Sequence, residues 1–283
     1  MCQAPVYFKF ADLAQAPLHA LGIIAGNGVY PRLLAEGARR AGVEKIVAAA
    51  FTDETDPALE QHVELVEWMR VGQLGRLLKF FRSQGIHHAI MAGQIAPKNL
   101  FDLRPDLKAL MLLGKLKERN AESIFAAIAD ELAKVDIELL PATTFLEDLL
   151  AQSGLIAGPK LSPRQEHDLE LGWNVAKEIA RLDIGQTIVI KNGTIVAVEA
   201  LEGTNEAVKR GGTLAREGAV MVKVSKPNQD MRFDVPVIGV ETIRVAAEGK
   251  LCVIAIEAGK SLLLERECII QLANRSNLSI IAR

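Results

Sequence analysis

Short apolar runs alternate with amphipathic stretches through the first half of the chain, which is the rhythm of strand, helix, strand. Leu21-Gly22-Ile23-Ile24-Ala25 reads as a buried strand running into Gly26-Asn27-Gly28-Val29-Tyr30-Pro31. Pro31 to Ala41 then has helical spacing with proline in the first turn, where its missing N–H is not needed. A second apolar run covers Lys45 to Ala50, and a helix from Gly72 to Gln84 leads to a strand from His87 to Met91 and the loop Gly93-Gln94-Ile95-Ala96-Pro97. Two more helices, Asp106 to Lys117 and Asn120 to Val135, precede the apolar stretch Ile137 to Leu140, with Asn120 a natural N-cap. This alternation predicts a Rossmann-like parallel sheet covered by helices, its ligand groups gathered at the carboxyl ends of the strands.

The pattern changes after residues 152 to 163, a stretch with two glycines and two prolines that reads as a linker. We therefore expect an N-terminal domain over residues 1–155, with 1–18 as an extension, and a C-terminal domain over 156–283. A helix from Pro163 to Arg181 is followed by Thr187 to Ile190 and Thr194 to Val198, which flank Asn192-Gly193 and predict a β-hairpin. Strands at Val220 to Val224, Leu251 to Ile256 and Leu278 to Ala282 then alternate with helices at Val240 to Glu248 and Arg266 to Ala273, with an apolar run at Leu262 to Leu264. The fold class is α/β, with a mixed α/β second half.

Composition narrows the function. The 283 residues carry 33 Lys plus Arg against 35 Asp plus Glu, and only 5% are aromatic. A nearly balanced charge and few stacking rings argue against nucleic acid as a partner. Cys2, Cys252 and Cys268 are too scattered for a disulfide framework or a zinc site, which points to a reducing compartment. No leader pattern opens the chain and no run reaches about 18 apolar residues. The expectation is a cytoplasmic protein whose membrane contact, if any, is peripheral.

Three places could carry chemistry. The glycines Gly26 and Gly28 between a strand and a helix allow close backbone approach to a phosphate, although Pro31 stands where a dinucleotide fingerprint has its third glycine; a plain tight turn is the alternative. Gln94, in a second loop at a strand end, could read a ligand with its amide or be an ordinary loop residue. The third place runs from Glu202 to Asp234. Between 205 and 232 it holds Lys209, Arg210, Arg216, Lys223, Lys226 and Arg232 against Glu206, Glu217 and Asp230, a local cation excess in a neutral protein. Such cations suit phosphate oxygens, and Asp230 and Asp234 could coordinate Mg²⁺ or orient water. The amphipathic, cationic helix Asp106 to Arg119 suits an anionic lipid surface, an acyl pocket or simple packing on the sheet.

Taken in order, five segments resemble the LpxI family of UDP-2,3-diacylglucosamine pyrophosphatases of lipid A biosynthesis. They are Leu21 to Gly28, Ala92-Gly93-Gln94, Arg181 to Gln186, Val198 to Asn205, and Lys226-Pro227 continuing to Arg232-Phe233-Asp234-Val235-Pro236-Val237-Ile238-Gly239. The resemblance covers residues 20 to 283 and implies Mg²⁺-dependent hydrolysis of a lipid-linked UDP-sugar to UMP and 2,3-diacylglucosamine 1-phosphate. By that analogy Asp234 is the essential acid, as a metal ligand or water orienter, while Asp230 stays the second candidate metal ligand on composition alone. Arg232, Lys226 and Lys223 stabilise pyrophosphate charge, while Gln186, Glu202, Thr204, Asn205, Gln229, Gly26, Gly28 and Gln94 bind substrate. Transient contact with the inner membrane follows from a lipid substrate, and a homodimer is one open expectation. The family's Gly-Asp-Asp at one helix start reads Asn120-Ala121-Glu122 here, retaining a single acid. A nucleotide-cofactor oxidoreductase and a noncatalytic nucleotide-binding regulator are the competing classes.

Overall fold

The computed structural model describes residues 18–95, 105–116, 121–227 and 229–283. Most of the expected N-terminal extension, the Asn120 cap, and Lys117 and Arg119 of the cationic helix lie outside the described residues.

The first half is a parallel sheet of β1 (Ala20–Ala25), β2 (Lys45–Phe51), β3 (Leu65–Met69), β4 (His88–Ala92) and β5 (Glu138–Leu139), in the order β3-β2-β1-β4-β5. Its helices are α1 (Tyr30–Arg40), α2 (Leu74–Ser83), α3 (Leu107–Lys115) and α4 (Ala121–Ala133). Central β1 is apolar on both faces because both faces are covered. Leu21 and Ile23 contribute to the core beneath α1, and Ile24 to the core with Phe81, Leu77 and Leu132 of the opposite layer. Strand β3 was not expected: at the sheet edge, Leu65 is 43% exposed and Glu67 interrupts the apolar run, so the pattern of a buried strand is missing.

The strand order reverses between β1 and β4, and a crevice at the carboxyl ends of such strands is the usual ligand position. Here the two loops close onto each other. The Asn27 N–H donates to the Gln94 carbonyl at 2.6 Å, and a Cβ on Gly26 would lie 2.6 Å from that same oxygen. Glycine at position 26 is therefore demanded by loop-to-loop packing.

The second half has a six-stranded sheet in the order β6-β13-β11-β9-β7-β8. Its strands are β6 (Gly154–Ala157), β7 (Thr187–Lys191), β8 (Thr194–Val198), β9 (Val220–Lys223), β11 (Val253–Ile256) and β13 (Ser279–Ala282). Strands β9, β11 and β13 are mutually parallel; β6, β7 and β8 join antiparallel. Helix α5 (Pro163–Arg181) starts with a Ser162/Gln165 capping box, and its Asp168 carboxylate accepts the N–H groups of Asn192 and Gly193 at 2.7 Å each, fixing the hairpin turn.

Two features of the second half differ from the local pattern of the chain. The stretch read as a linker contains β6, paired with β13, so a boundary between 155 and 156 falls inside a strand of the second sheet. A helix absent from the sequence reading, α6 (Thr204–Ala215), packs on β7, where a Cβ on Gly211 would come within 2.6 Å of Val189. Gly211-Gly212 permits that close approach and depresses the helical pattern at the same time. Helices α7 (Val240–Glu248) and α8 (Arg266–Arg275) complete the layer.

The halves share interior. A small parallel pair, β10 (Val237–Ile238) with β12 (Leu262–Leu263), carries Leu262, which joins Leu264 in the core of Leu21, Leu34 and Ile90. Ala142 of the first half donates its N–H to the Met231 carbonyl of the second at 2.8 Å.

Candidate active site

The register of the second sheet brings one group of polar side chains together. Thr187 at the start of β7 pairs with Lys223 at the end of β9, and Glu199, just past β8, donates its N–H to the Thr187 carbonyl at 2.8 Å. Gly203, at φ 83°, turns the chain into α6 and sets Thr204 over this end of the sheet. The Lys223 ammonium donates to Thr204 Oγ1 at 2.8 Å, and the Thr204 hydroxyl donates to Glu199 Oε1 at 2.8 Å. Gln186 N–H donates to the other Glu199 oxygen at 3.3 Å. Burial pushes the Lys223 pKa down, opposed by the charges of Glu199 and Asp234.

The chain leaving β9 forms the second part. Lys226 N–H donates to Gln229 Oε1 at 2.8 Å, and its ammonium pairs with Asp183 and lies 3.8 Å from Glu122 of α4. Burial works against this charge, yet Asp183, Asp234 and Glu122 overcome it and hold the Lys226 pKa above the ordinary lysine value. Arg232 grips Asp230 through two parallel bonds, Nε to Oδ1 at 2.9 Å and Nη2 to Oδ2 at 2.6 Å, which depresses the Asp230 pKa. Asp234 N–H donates to the Asp230 carbonyl at 2.9 Å, and the Phe233 ring sits 5.7 Å from Phe125 of α4. Asp234 is therefore carried on a turn held on one side by the first half of the molecule. Its charge is felt by both lysines.

Of the residues expected from sequence, Lys223, Thr204, Gln186, Lys226, Gln229 and Asp234 gather here. Arg232 and Asp230 stand beside them as a closed pair. Glu202 instead pairs with Arg210 at 2.6 Å, and Asn205 accepts from the Thr242 hydroxyl at 3.1 Å, fastening α6 to α7. Gly26, Gly28 and Gln94 lie on the two paired loops at the carboxyl ends of β1 and β4. Glu199 and Asp183 join this cluster without having been expected there. Each is an acid inside a segment quoted above, one beside a strand end and one at a helix exit, but opposite their lysines only in three dimensions.

Two buried side-chain atoms of this cluster, Gln186 Oε1 and Gln229 Nε2, have no hydrogen-bond partner among the described residues. One is an acceptor and one a donor, and buried polar atoms of this kind normally meet a ligand or water. Among the described residues, Asp234 is the carboxylate that could take a metal. Among the described residues no three His, Cys, Asp or Glu side chains converge as a ready-made cage. Asp230 commits both oxygens to Arg232. Asp234 has no hydrogen bond to its carboxylate among the described residues, and a single carboxylate completed by substrate phosphates is an ordinary arrangement for Mg²⁺.

A Rossmann-like sheet joined through shared core to a mixed sheet, with lysines, an arginine and the carboxylate of Asp234 at the strand end and turn between them, defines a two-part α/β protein whose site suits a polyphosphate ester. The comparisons make this specific. The chain belongs to the LpxI family: the LpxI N-terminal domain model matches residues 20–149 and the LpxI C-terminal domain model residues 152–281. UDP-2,3-diacylglucosamine pyrophosphatase LpxI of Caulobacter vibrioides is 31% identical over 277 residues, spanning 93% of this chain and 97% of that protein. The biotin carboxylase domain of Hydrogenobacter thermophilus 2-oxoglutarate carboxylase overlays with a TM-score of 0.30 at 10% identity, covering 71% of this chain and 42% of that one, and carries no argument.

Proposed function

We propose that this chain hydrolyses the pyrophosphate bond of UDP-2,3-diacylglucosamine to UMP and 2,3-diacylglucosamine 1-phosphate, in lipid A biosynthesis. The observation that carries the reading is the family match through both halves of the chain, with 97% of the relative's length covered. In this reading Lys223 and Lys226 balance the charge that builds on the phosphate oxygens, with Arg232 at the margin. Asp234 orients the attacking water. Gln186 and Gln229 place their free amide atoms on polar groups of the substrate.

Local charge supports a role for Mg²⁺. Lys223, Lys226 and Arg232 face Asp183, Glu122, Glu199, Asp230 and Asp234, so carboxylates already outnumber cations before a diphosphate arrives. A divalent cation held by Asp234 and the substrate would offset that excess and lower the pKa of bound water. The lipid end also has a place. Leu182, Ile184 and Leu201, 57%, 48% and 77% exposed, lie on the loops beside Asp183 and Glu199, and α3 exposes Leu107, Leu110 and Met111. These faces support transient contact with a lipid surface, and no helix among the described residues is long and apolar enough to cross a membrane.

The test is release of UMP from the diacylated nucleotide sugar dispersed in detergent with Mg²⁺. Wild-type protein is expected to release UMP and Asp234→Ala to lose turnover while keeping its circular dichroism. No UMP from folded wild-type protein would refute the activity; an active Asp234→Ala would remove that residue from the chemistry.

A further inference from the structure

A second carboxylate centre lies one strand away from Lys223. Strands β9 and β11 run parallel with Ile256 opposite Lys223, so Glu257, the next residue of β11's chain, comes alongside the segment leaving β9. Its carboxylate is full. Oε2 accepts from Ser225 N–H at 2.9 Å, Ser225 Oγ at 2.6 Å and Lys177 Nζ at 2.5 Å, while Oε1 accepts from Lys260 Nζ at 2.8 Å. Lys177 also donates to the Ser225 carbonyl at 3.3 Å. All three polar groups of Ser225 are thus held by a single Glu–Lys pair. Ser225 is fully buried and Glu257 is 9% exposed, so solvent competes little for these bonds.

The residue that follows Ser225 is Lys226. Apolar packing of the same volume could match the net stability of such a pair, but it could not direct three polar groups of one residue. The purpose is visible in what is fixed. The Ser225 peptide sets where the Lys226 side chain departs, and the Lys226 N–H then engages Gln229.

We propose that Glu257, with Lys177 as its counter-charge, is a positioning residue that locks the Ser225–Lys226 backbone and so holds the Lys226 ammonium at the phosphate site. This rests on the functional reading above. Glu257 has no oxygen left for substrate and acts through Lys226.

The experiment is a double-mutant cycle on the full chain, with UMP release read as kcat and KM for wild type, Glu257→Gln, Lys226→Ala and the double variant. Misplacing a reacting group by about 1 Å costs on the order of 100-fold. Glu257→Gln should therefore lower kcat by roughly 10- to 100-fold with KM changed less than about 3-fold, and should cause no further loss once Lys226 is alanine. A role confined to folding would give the same fractional loss in both backgrounds, and that result overturns the proposal, as does full activity of Glu257→Gln. If Glu257→Gln does not fold, Lys177→Met at the half-exposed end of the pair enters the same cycle with the same expected outcome. Wild-type protein without UMP release removes the functional reading itself; active wild type with an equally active Lys226→Ala removes only the positioning role.

Discussion

Acid should weaken the protein in a way traceable to Glu257. Burial favours the neutral carboxyl, but Lys177, Lys260 and Ser225 outweigh it and hold the group at about 2, against an ordinary value of 4.5. At about 1.36 kcal/mol per pKa unit, that depression corresponds to about 3 kcal/mol of folding stability. Because the folded state binds its proton less readily than the unfolded chain, the contribution is complete above pH 4.5. It declines as pH falls from there and is gone below about 2. Urea unfolding of wild type and Glu257→Gln, followed by circular dichroism at several pH values, isolates the term, since other depressed carboxylates such as Glu131 titrate in both proteins. The gap between the two should be near 3 kcal/mol at neutral pH and narrow steadily below pH 4.5. A gap of the same size at pH 7 and pH 3 would show that the variant loses shape or hydrogen bonding and not charge, and would refute the reasoning.

Other substitutions probe other links. Asp168→Ala leaves the Asn192 and Gly193 N–H groups of the hairpin turn without their acceptor and should cost about 2 to 4 kcal/mol in chemical unfolding, an effect that an unchanged midpoint would contradict. Gly93→Ala places a Cβ 2.6 Å from the Asn27 carbonyl at φ +91° and should destabilise the protein by clearly more than Gly28→Ala, which, at φ +88° with open space around it, should lose the backbone penalty alone, about 1 to 2 kcal/mol in chemical unfolding. Equal losses would show that the two loops are not in contact. Leu201→Asp should slow UMP release from substrate embedded in vesicles while leaving release from detergent-dispersed substrate within about 2-fold, because charge transfer into a lipid surface is penalised and the site itself is untouched. Equal effects in both would place Leu201 in the site.

Much of the fold is readable in the chain because its strands are either buried on both faces or bounded by strong turn residues. β1 and β2 are continuous apolar runs, and Asn192-Gly193 marks the hairpin with both residues at positive φ. The elements that escaped are those where tertiary context overrides local pattern. β3 is an edge strand, β6 lies among glycines and prolines but finds β13, and α6 tolerates two glycines because Val189 and Gly249 press against them. Site residues divide along the same line. Lys226 and Asp234 stand out by local composition, whereas Glu199 and Asp183 acquire meaning only through the register of β7 with β9 and the exit of α5.

The arrangement also explains how a site crowded with internal ion pairs could admit a dianionic ligand. Lys226 is 21% exposed, but its partners Glu122 and Asp183 are 47% and 51% exposed. Pairs with such wet carboxylates contribute about 0 to 1 kcal/mol, so exchanging them for phosphate oxygens costs little, and the released acids return to water. Glu122 is the single acid left from the Asn120-Ala121-Glu122 departure, and it is the one that reaches Lys226 from the first half of the molecule. Losing it to the ligand would loosen one tie between the halves, while the Phe125–Phe233 contact and the Ala142–Met231 hydrogen bond keep the Asp234 turn in place. The cation that must change partners is thus paired with exchangeable ones, and the backbone that must stay is held by buried ones.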